Sequence, residues 1–229
     1  MQVVFWLAVF ALVVILGMAF MVYHAVERLS GASALFRGQK APDHDDASPW
    51  AVIYHEMNAW AQELGLERFD CLDFYGLLED QPVQVASWRH PQQAYYLVLY
   101  FFMESAWVDF TSVFANGMYM TTSNQRDALT LPEPNEAYIQ VFTDAEPPTL
   151  LQYHSDGVQY LCAHLKTQAV LSPLSLRSLM VQAMEKQTLS IKAQPLWYLN
   201  GALWYFGRRF WLNNKSVQQV YPQEVFASP

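Results

Sequence analysis

Near the start of the chain, the segment from Val3 to Tyr23 carries no charge on any of its 21 residues. Thirteen of them are Val, Ile, Leu or Phe, and at about −0.3 to −0.6 kcal/mol each they favour membrane insertion by roughly 6 kcal/mol. An α-helix of this length, rising about 1.5 Å per residue, spans about 31 Å, the thickness of the hydrocarbon core of a bilayer. We therefore predict a single transmembrane helix, with residues 1–26 as the anchor.

A cleaved secretory signal is the alternative interpretation of this segment. Such a signal has a basic start, an apolar stretch of about 7–15 residues and small residues at the cleavage site. No basic residue precedes Val3, the apolar run is longer, and the cluster of small residues from Ser30 to Ala34 lies beyond Glu27 and Arg28. These features favour a retained signal-anchor.

The basic residues near the anchor all follow it, at Arg28, Arg37 and Lys40. Basic residues that flank a span are preferentially held on the cytoplasmic side. We therefore expect a single-pass protein of the bacterial inner (plasma) membrane, with residues 24–229 in the cytoplasm and the lipid bilayer as the partner of residues 3–23.

Charge and length limit what the rest of the chain can be. The 13 Lys and Arg and 21 Asp and Glu residues give a net charge of −8, which argues against nucleic acid as a partner because phosphates require basic patches. Residues 27–47, rich in Gly, Ser and Asp, predict a flexible linker. About 165 residues, 48–212, then suffice for one hydrophobic core, and residues 213–229 predict a polar tail.

The domain shows local signals for both helices and strands. Ser48 and Pro49 predict a helix start and Gly65 its end, because these residues suit the N-cap, the first helical position and the C-terminal stop. Asn116-Gly117 predicts a hairpin turn, since both residues tolerate positive φ. Helices are further predicted over 147–166 and from 172 to about 191. The predicted strands cover residues 69–75, 83–89, 94–102, 107–115, 118–124 and 137–143.

Short connections between these strands require antiparallel neighbours. The predicted fold class is therefore α+β: an N-terminal transmembrane helix followed by one domain, in which an antiparallel five- to six-stranded meander sheet packs against helices. The polar residues Thr121 to Asn124 at the end of one strand have two interpretations. They could bind a ligand, or they could simply be residues common in strands and turns, which is the favoured interpretation.

The segment Asn116-Gly117-Met118-Tyr119-Met120-Thr121-Thr122, preceded by an apolar strand and followed by a helix that carries His154, resembles a segment of functionally uncharacterised bacterial membrane-anchored proteins. The resemblance covers roughly residues 50–165. It implies a related fold and carries no catalytic signature.

Aromatic residues dominate the stretch from Pro195 to Leu212. Trp197, Trp204 and Trp211 recur every seven residues, and Arg208 and Arg209 lie near the end. The stretch is too short to span a bilayer. It predicts either a helix packed within the fold, the favoured interpretation, or a helix that contacts the membrane surface or a partner through these five residues.

No motif of an enzyme, metal site or cofactor site is found: the chain has no Gly-x-Ser-x-Gly, phosphate-binding loop, Cys-x-x-Cys or His-rich pattern. We therefore expect no cofactor and no metal, and an enzyme is disfavoured. The expected function is a membrane-tethered binding or adaptor module for an unknown protein partner. An accessory structural subunit of a membrane complex is the alternative, followed by an enzyme or a sensor of a small ligand.

Overall fold

The computed structural model describes residues 2–76 and 80–222, which form an α+β structure with a long apolar N-terminal helix. The helices are α1 (Gln2–Leu29), α2 (Pro49–Glu63), α3 (Pro147–Leu165), α4 (Leu176–Lys192), α5 (Trp197–Phe206), α6 (Arg208–Leu212) and α7 (Val217–Val220). The strands are β1 (Phe36–Gly38), β2 (Glu67–Phe74), β3 (Val83–Arg89), β4 (Tyr95–Phe102), β5 (Ser105–Phe114), β6 (Tyr119–Ser123), β7 (Ala137–Val141) and β8 (Ala169–Val170). Two 3-10 turns cover Ala32–Leu35 and Arg126–Leu129.

Helix α1 is long and apolar enough to cross a membrane, by length and composition, and it alone meets these criteria in the described part of the chain. Its first half exposes large apolar side chains, such as Phe5 and Phe10. In its second half Ala19, Val22 and Val26 are buried. The second half of the predicted anchor is therefore also a packing element of the domain.

The sheet has the order β1-β2-β3-β4-β5-β6-β7, and β8 pairs with the end of β5. The predicted antiparallel meander is confirmed from β2 to β6. The prediction of five or six strands is too low, because β1 and β8 have only three and two residues, too few to show an alternating pattern. The prediction that β7 is antiparallel is wrong: it is parallel to β6, because residues 124–136 form a crossover.

Residues 27–38, which the composition predicts to be linker, are folded. Helix α1 continues to Leu29, and the Arg28 guanidinium donates a hydrogen bond to the carbonyl oxygen of Tyr75 at 2.6 Å. The ring of Phe36 in β1 stacks on Phe74 in β2, with 4.8 Å between ring centroids. Helix α1 therefore leads directly into the edge strand of the sheet, and residues 39–47 connect β1 to α2.

Local signals place α2 and the central hairpin as predicted. The Ser48 hydroxyl accepts a hydrogen bond from the Ala51 amide at 3.2 Å, and Pro49 is the first helical residue. Gly65 and Gly117 have φ values of +74° and +82°, which only glycine adopts without strain. The predicted helix from 172 begins later, since Ser175 caps α4.

The two faces of the sheet are covered by different helices. Along β4, Leu97 and Leu99 lie in the core with Trp50 and Tyr54 of α2 and Leu150 of α3. The alternate residues of β4, including Val98, lie on the opposite face, where α4 packs through residues such as Leu176 and Met180. This alternation of side chains between faces creates a second layer between the sheet and α4, and the candidate site lies there.

Candidate functional site

A cavity of about 310 Å³ lies between α4 and the outer face of β4 to β7. Its floor consists of residues at alternate strand positions that are paired across the sheet, such as Val98 with Asp109 and Thr111 with Thr121. Its roof comes from α4 and combines apolar residues, including Leu179, Met180 and Ala183, with polar residues such as Gln182 and Lys186. We call it the Asp109 cavity, after the acidic residue in its floor.

Asp109 is a carboxylic acid in a mostly apolar setting. Only 8% of the residue is exposed, and its Oδ1 atom is buried without a hydrogen-bond partner. Burial raises the pKa of Asp109 to about 6, although the nearby hydroxyls of Ser123 and Tyr100 lower it. At neutral pH the side chain is therefore mainly ionised, in surroundings that disfavour the charge.

No cation compensates this charge among the residues that the structure describes. The ion pairs found there join Lys192 to Glu27, Arg209 to Asp127 and His44 to Asp45, and none involves Asp109. Burial, followed by the charge of Asp109, also raises the pKa of the neighbouring Tyr100 hydroxyl. A buried carboxylate without a compensating cation and with an unpartnered oxygen is costly, so the cavity favours an occupant that donates a hydrogen bond or carries positive charge.

Several other polar groups around the cavity have partners within the protein. The hydroxyls of Thr111 and Thr121 are hydrogen-bonded to each other, with 3.2 Å between the oxygen atoms. The Tyr96 hydroxyl accepts a hydrogen bond from the Ser172 amide at 2.9 Å. Lys186, on the exposed side of α4, donates to the carbonyl oxygen of Gly117 at 3.3 Å. In the floor of the cavity, the Oδ1 atom of Asp109 is a buried acceptor without a hydrogen-bond partner.

A second polar cluster lies on the opposite face of the sheet, around His154 of α3. Its Nε2 atom lies 3.0 Å from the Ser112 hydroxyl and its Nδ1 atom 2.9 Å from the Thr122 hydroxyl. Gln140 donates hydrogen bonds to the Thr122 hydroxyl and to the carbonyl oxygen of Tyr153, both at 2.9 Å. These bonds are all satisfied if Thr122 donates to Nδ1 and Nε2 donates to Ser112.

A Ser–His pair can activate a nucleophile, but this cluster has no access for a substrate. Ser112, Thr122 and His154 are each at most 1% exposed. Burial lowers the pKa of His154 to about 3, so the ring is neutral at physiological pH. The cluster therefore serves to join α3 to the sheet.

The five aromatic-segment residues that the sequence predicts as contacts have different environments. Trp197 stacks on Tyr23 of α1, with 5.5 Å between ring centroids, and the half-buried Trp204 donates its indole hydrogen bond to the carbonyl oxygen of Leu129 at 2.9 Å. Arg209 is buried and donates to Asp127 at 2.7 Å. Trp211 and Arg208 are exposed.

The residues of the polar strand end from Thr121 to Asn124 have different environments, and the ligand-binding interpretation stays a prediction. Thr121 lines the Asp109 cavity, whereas Thr122 belongs to the buried His154 cluster on the other face. The Asn124 side chain accepts a hydrogen bond from the Val108 amide at 2.8 Å, which is a structural role. Sequence reasoning did not single out Asp109, although a lone carboxylate within an apolar strand is a signal of a special environment.

No group of three or more His, Cys, Asp or Glu side chains that could hold a metal ion is present in residues 2–76 and 80–222. Comparison of the chain with protein-family models, with curated proteins and with solved structures finds no match. The resemblance to bacterial membrane-anchored proteins therefore stays a prediction, and the proposed function is based on the geometry of the Asp109 cavity.

Proposed function

We propose that this protein is a membrane-anchored binding module, and that the Asp109 cavity binds a small apolar molecule that carries a protonated amine. The observation that supports the proposal most strongly is the buried, unpartnered oxygen of Asp109 in the wall of the cavity. A cationic amine supplies both the hydrogen bond and the charge that this carboxylate lacks.

The size and lining of the cavity support the same class of ligand. Its volume of about 310 Å³ is at the lower end of the range for small-molecule sites, which are mostly apolar with a few polar groups. The roof residues Leu179, Met180 and Ala183 contribute apolar surface. A ligand with one aromatic ring and a short aminoalkyl chain matches this combination.

The location and orientation form part of the proposal. We infer that α1 spans the plasma membrane of a bacterium and that the domain faces the cytoplasm. The length and composition of α1 support the span, and Arg28, Arg37 and Lys40 on the domain side support the orientation. Labelling of a Met103→Cys variant in intact cells tests the orientation, because a membrane-impermeant maleimide reaches this 62% exposed position only if the domain is outside.

Thermal unfolding of the full-length protein in detergent tests the ligand proposal. The probes are phenethylamine and 3-phenylpropionate, which share a ring and a short chain but carry opposite charges. We expect phenethylamine to raise the unfolding temperature in a saturable manner and 3-phenylpropionate to have no such effect. Equal effects of the two probes, or no effect of either, would contradict the proposal.

Two variants show whether the effect arises in the cavity. Asp109→Asn removes the charge, so the apparent affinity for phenethylamine is expected to fall at least tenfold. This corresponds to a loss of about 1.4 kcal/mol or more of binding free energy. Ala183→Trp fills the cavity from its roof and is expected to abolish the stabilisation. Leu189→Ala, on the same helix but at a 68% exposed position, is the matched control and should respond like the wild type.

An adaptor that binds a protein partner, or an accessory subunit of a membrane complex, is the alternative proposal. The exposed Leu189 on α4 supports it, since exposed apolar side chains can mark an interface. Crosslinking in intact membranes followed by mass spectrometry tests this alternative. A specific neighbour that is lost in a Leu189→Asp variant and retained in Asp109→Asn would favour it over the small-ligand proposal.

A further inference from the structure

The exposed apolar surface of α5 and α6 lies beside the anchor helix. Leu203, Phe206, Phe210 and Trp211 are each between 43% and 61% exposed. Leu203 and Phe206 are three positions apart on α5, the spacing of one helical face, and Phe210 and Trp211 are adjacent on α6. We call these four residues the α5–α6 ridge.

Contacts between α5 and α1 place α5 beside the C-terminal part of the uncharged run of α1. Gly201 of α5 packs against Val22, which is within the uncharged run of α1. The nearest ion pair, between Glu27 of α1 and Lys192 of α4, lies five residues further along α1, or about 7 Å along the helix axis. Helix α5 therefore contacts α1 on the N-terminal, uncharged side of the first charged pair.

Cations border the ridge, although the protein as a whole is acidic. The Arg208 guanidinium lies 5.9 Å from the ring centroid of Trp211, and the Lys215 ammonium lies 3.5 Å from the same centroid. The Arg126 guanidinium lies 5.8 Å from the ring centroid of Phe210. Aromatic and apolar side chains with adjacent Arg and Lys are typical of segments in the headgroup region of a bilayer.

We propose that the α5–α6 ridge is embedded in the interfacial layer of the same bilayer that α1 spans, with Leu203 and Phe210 in contact with acyl chains and Arg208 and Lys215 at the level of the lipid phosphates. Two observations favour lipid over a protein as the occupant. Helix α5 packs directly on α1, which is apolar enough to cross a membrane, at the contact of Gly201 with Val22, and the cationic border of the ridge complements anionic headgroups. The domain is consequently held against the membrane.

Depth measurements on the full-length protein in protein-free vesicles test this proposal. Single cysteines at Leu203 and Phe210, in a Cys71→Ala, Cys162→Ala background, carry a nitroxide label, and collision rates with oxygen and with a water-soluble nickel complex are compared. Vesicles of phosphatidylcholine and phosphatidylglycerol are used at high dilution of protein in lipid. Phe10→Cys in α1 and Met103→Cys in the β4–β5 hairpin, 68% and 62% exposed, are the references for lipid and for water.

The proposal predicts that labels at Leu203 and Phe210 collide preferentially with oxygen, with ratios closer to the Phe10 label than to the Met103 label. A preference for the nickel complex at both positions, equal to that of the Met103 label, would overturn it and leave the ridge as a surface for a protein. A cooperative thermal unfolding transition of each labelled variant shows that the domain is folded, so that either result is interpretable.

Discussion

Gly201 of α5 lies so close to Val22 of α1 that a Cβ atom at position 201 would be 2.5 Å from Val22 Cγ1. This distance is too short for two non-bonded carbon atoms, so the two helices can approach in this way only because residue 201 is glycine. The contact joins the predicted membrane anchor to the domain that contains the Asp109 cavity.

We predict that Gly201→Ala destabilises the protein by about 1–2 kcal/mol, because the overpacking at Val22 exceeds the gain in helix propensity. Adding Val22→Ala should recover most of the lost stability, since it removes the atom that clashes. The unfolding temperature of the full-length protein in detergent measures both effects. Gly17→Ala is the matched control, because a Cβ at Gly17 has no neighbour within 4 Å; equal behaviour of the two single variants would show that the close contact is absent.

The neighbouring residues Thr121 and Thr122 are expected to respond differently to valine. Thr122→Val removes a hydroxyl that is bonded to His154 and Gln140 in a buried cluster, so it should cost about 1–3 kcal/mol. Thr121→Val affects a half-buried hydroxyl that is bonded only to Thr111 and should cost clearly less. Chemical denaturation of the two variants gives this comparison, and an equal loss in both would be inconsistent with the His154 cluster as described.

The adjacent cations Arg208 and Arg209 provide a similar test. The Arg209 side chain is 7% exposed and bonded to Asp127, so Arg209→Gln should destabilise the protein by about 1–2 kcal/mol through the lost charged hydrogen bond. Arg208 is exposed, so Arg208→Gln should change stability by no more than about 0.5 kcal/mol. Unfolding temperatures of the two variants distinguish them. The reverse order of effects would mean that the two side chains have exchanged environments.

Asp109 should make the stability of the protein depend on pH. Its pKa is about 6 in the folded protein, compared with an ordinary value of 3.8, so the folded state binds the proton more tightly than the unfolded state. The contribution of Asp109 to stability therefore decreases as pH rises from about 4 to 6, by up to about 3 kcal/mol, and is constant above that range.

We predict that Asp109→Asn removes this pH-dependent decrease in stability. The free energy of unfolding of the variant, relative to the wild type, should increase between pH 4 and 6 and then level off. Other buried groups, including Glu133 with its raised pKa of about 7 and His154 with its lowered pKa of about 3, titrate in both proteins, so the comparison largely cancels their contributions. A difference in free energy of unfolding that does not vary with pH would mean that the Asp109 side chain is exposed to water and has an ordinary pKa.

Sequence patterns predict this fold best where the signal is local. Ser48 and Pro49 begin α2 as predicted, and Gly117 forms the expected hairpin turn, because capping and positive φ depend on single residues. The parallel pairing of β7 with β6 could not be predicted in this way, since it depends on the path of residues 124–136 in three dimensions. The stacking of Phe36 on Phe74 could not be predicted either, because these residues are far apart in the sequence.

The site shows the same division between local and tertiary information. The predicted strand over 107–115 already places Asp109 and Thr111 on one face by alternation, but nothing local predicts that α4 covers this face and leaves a cavity. Arg208 and Arg209 look equivalent as a basic pair in the sequence. Consecutive helical residues point about 100° apart, so tertiary packing buries Arg209 and exposes Arg208.

The most direct test of the account is the pKa of Asp109 with and without an amine in the cavity. Carbon-13 NMR of full-length protein labelled at the aspartate side-chain carboxyl carbons gives this value, and the Asp109→Asn spectrum assigns the resonance. We predict a pKa of about 6 for the protein alone and a decrease of roughly one unit or more with saturating phenethylamine, because the cation stabilises the carboxylate. A pKa that phenethylamine leaves unchanged would contradict the proposal that Asp109 binds a cationic ligand.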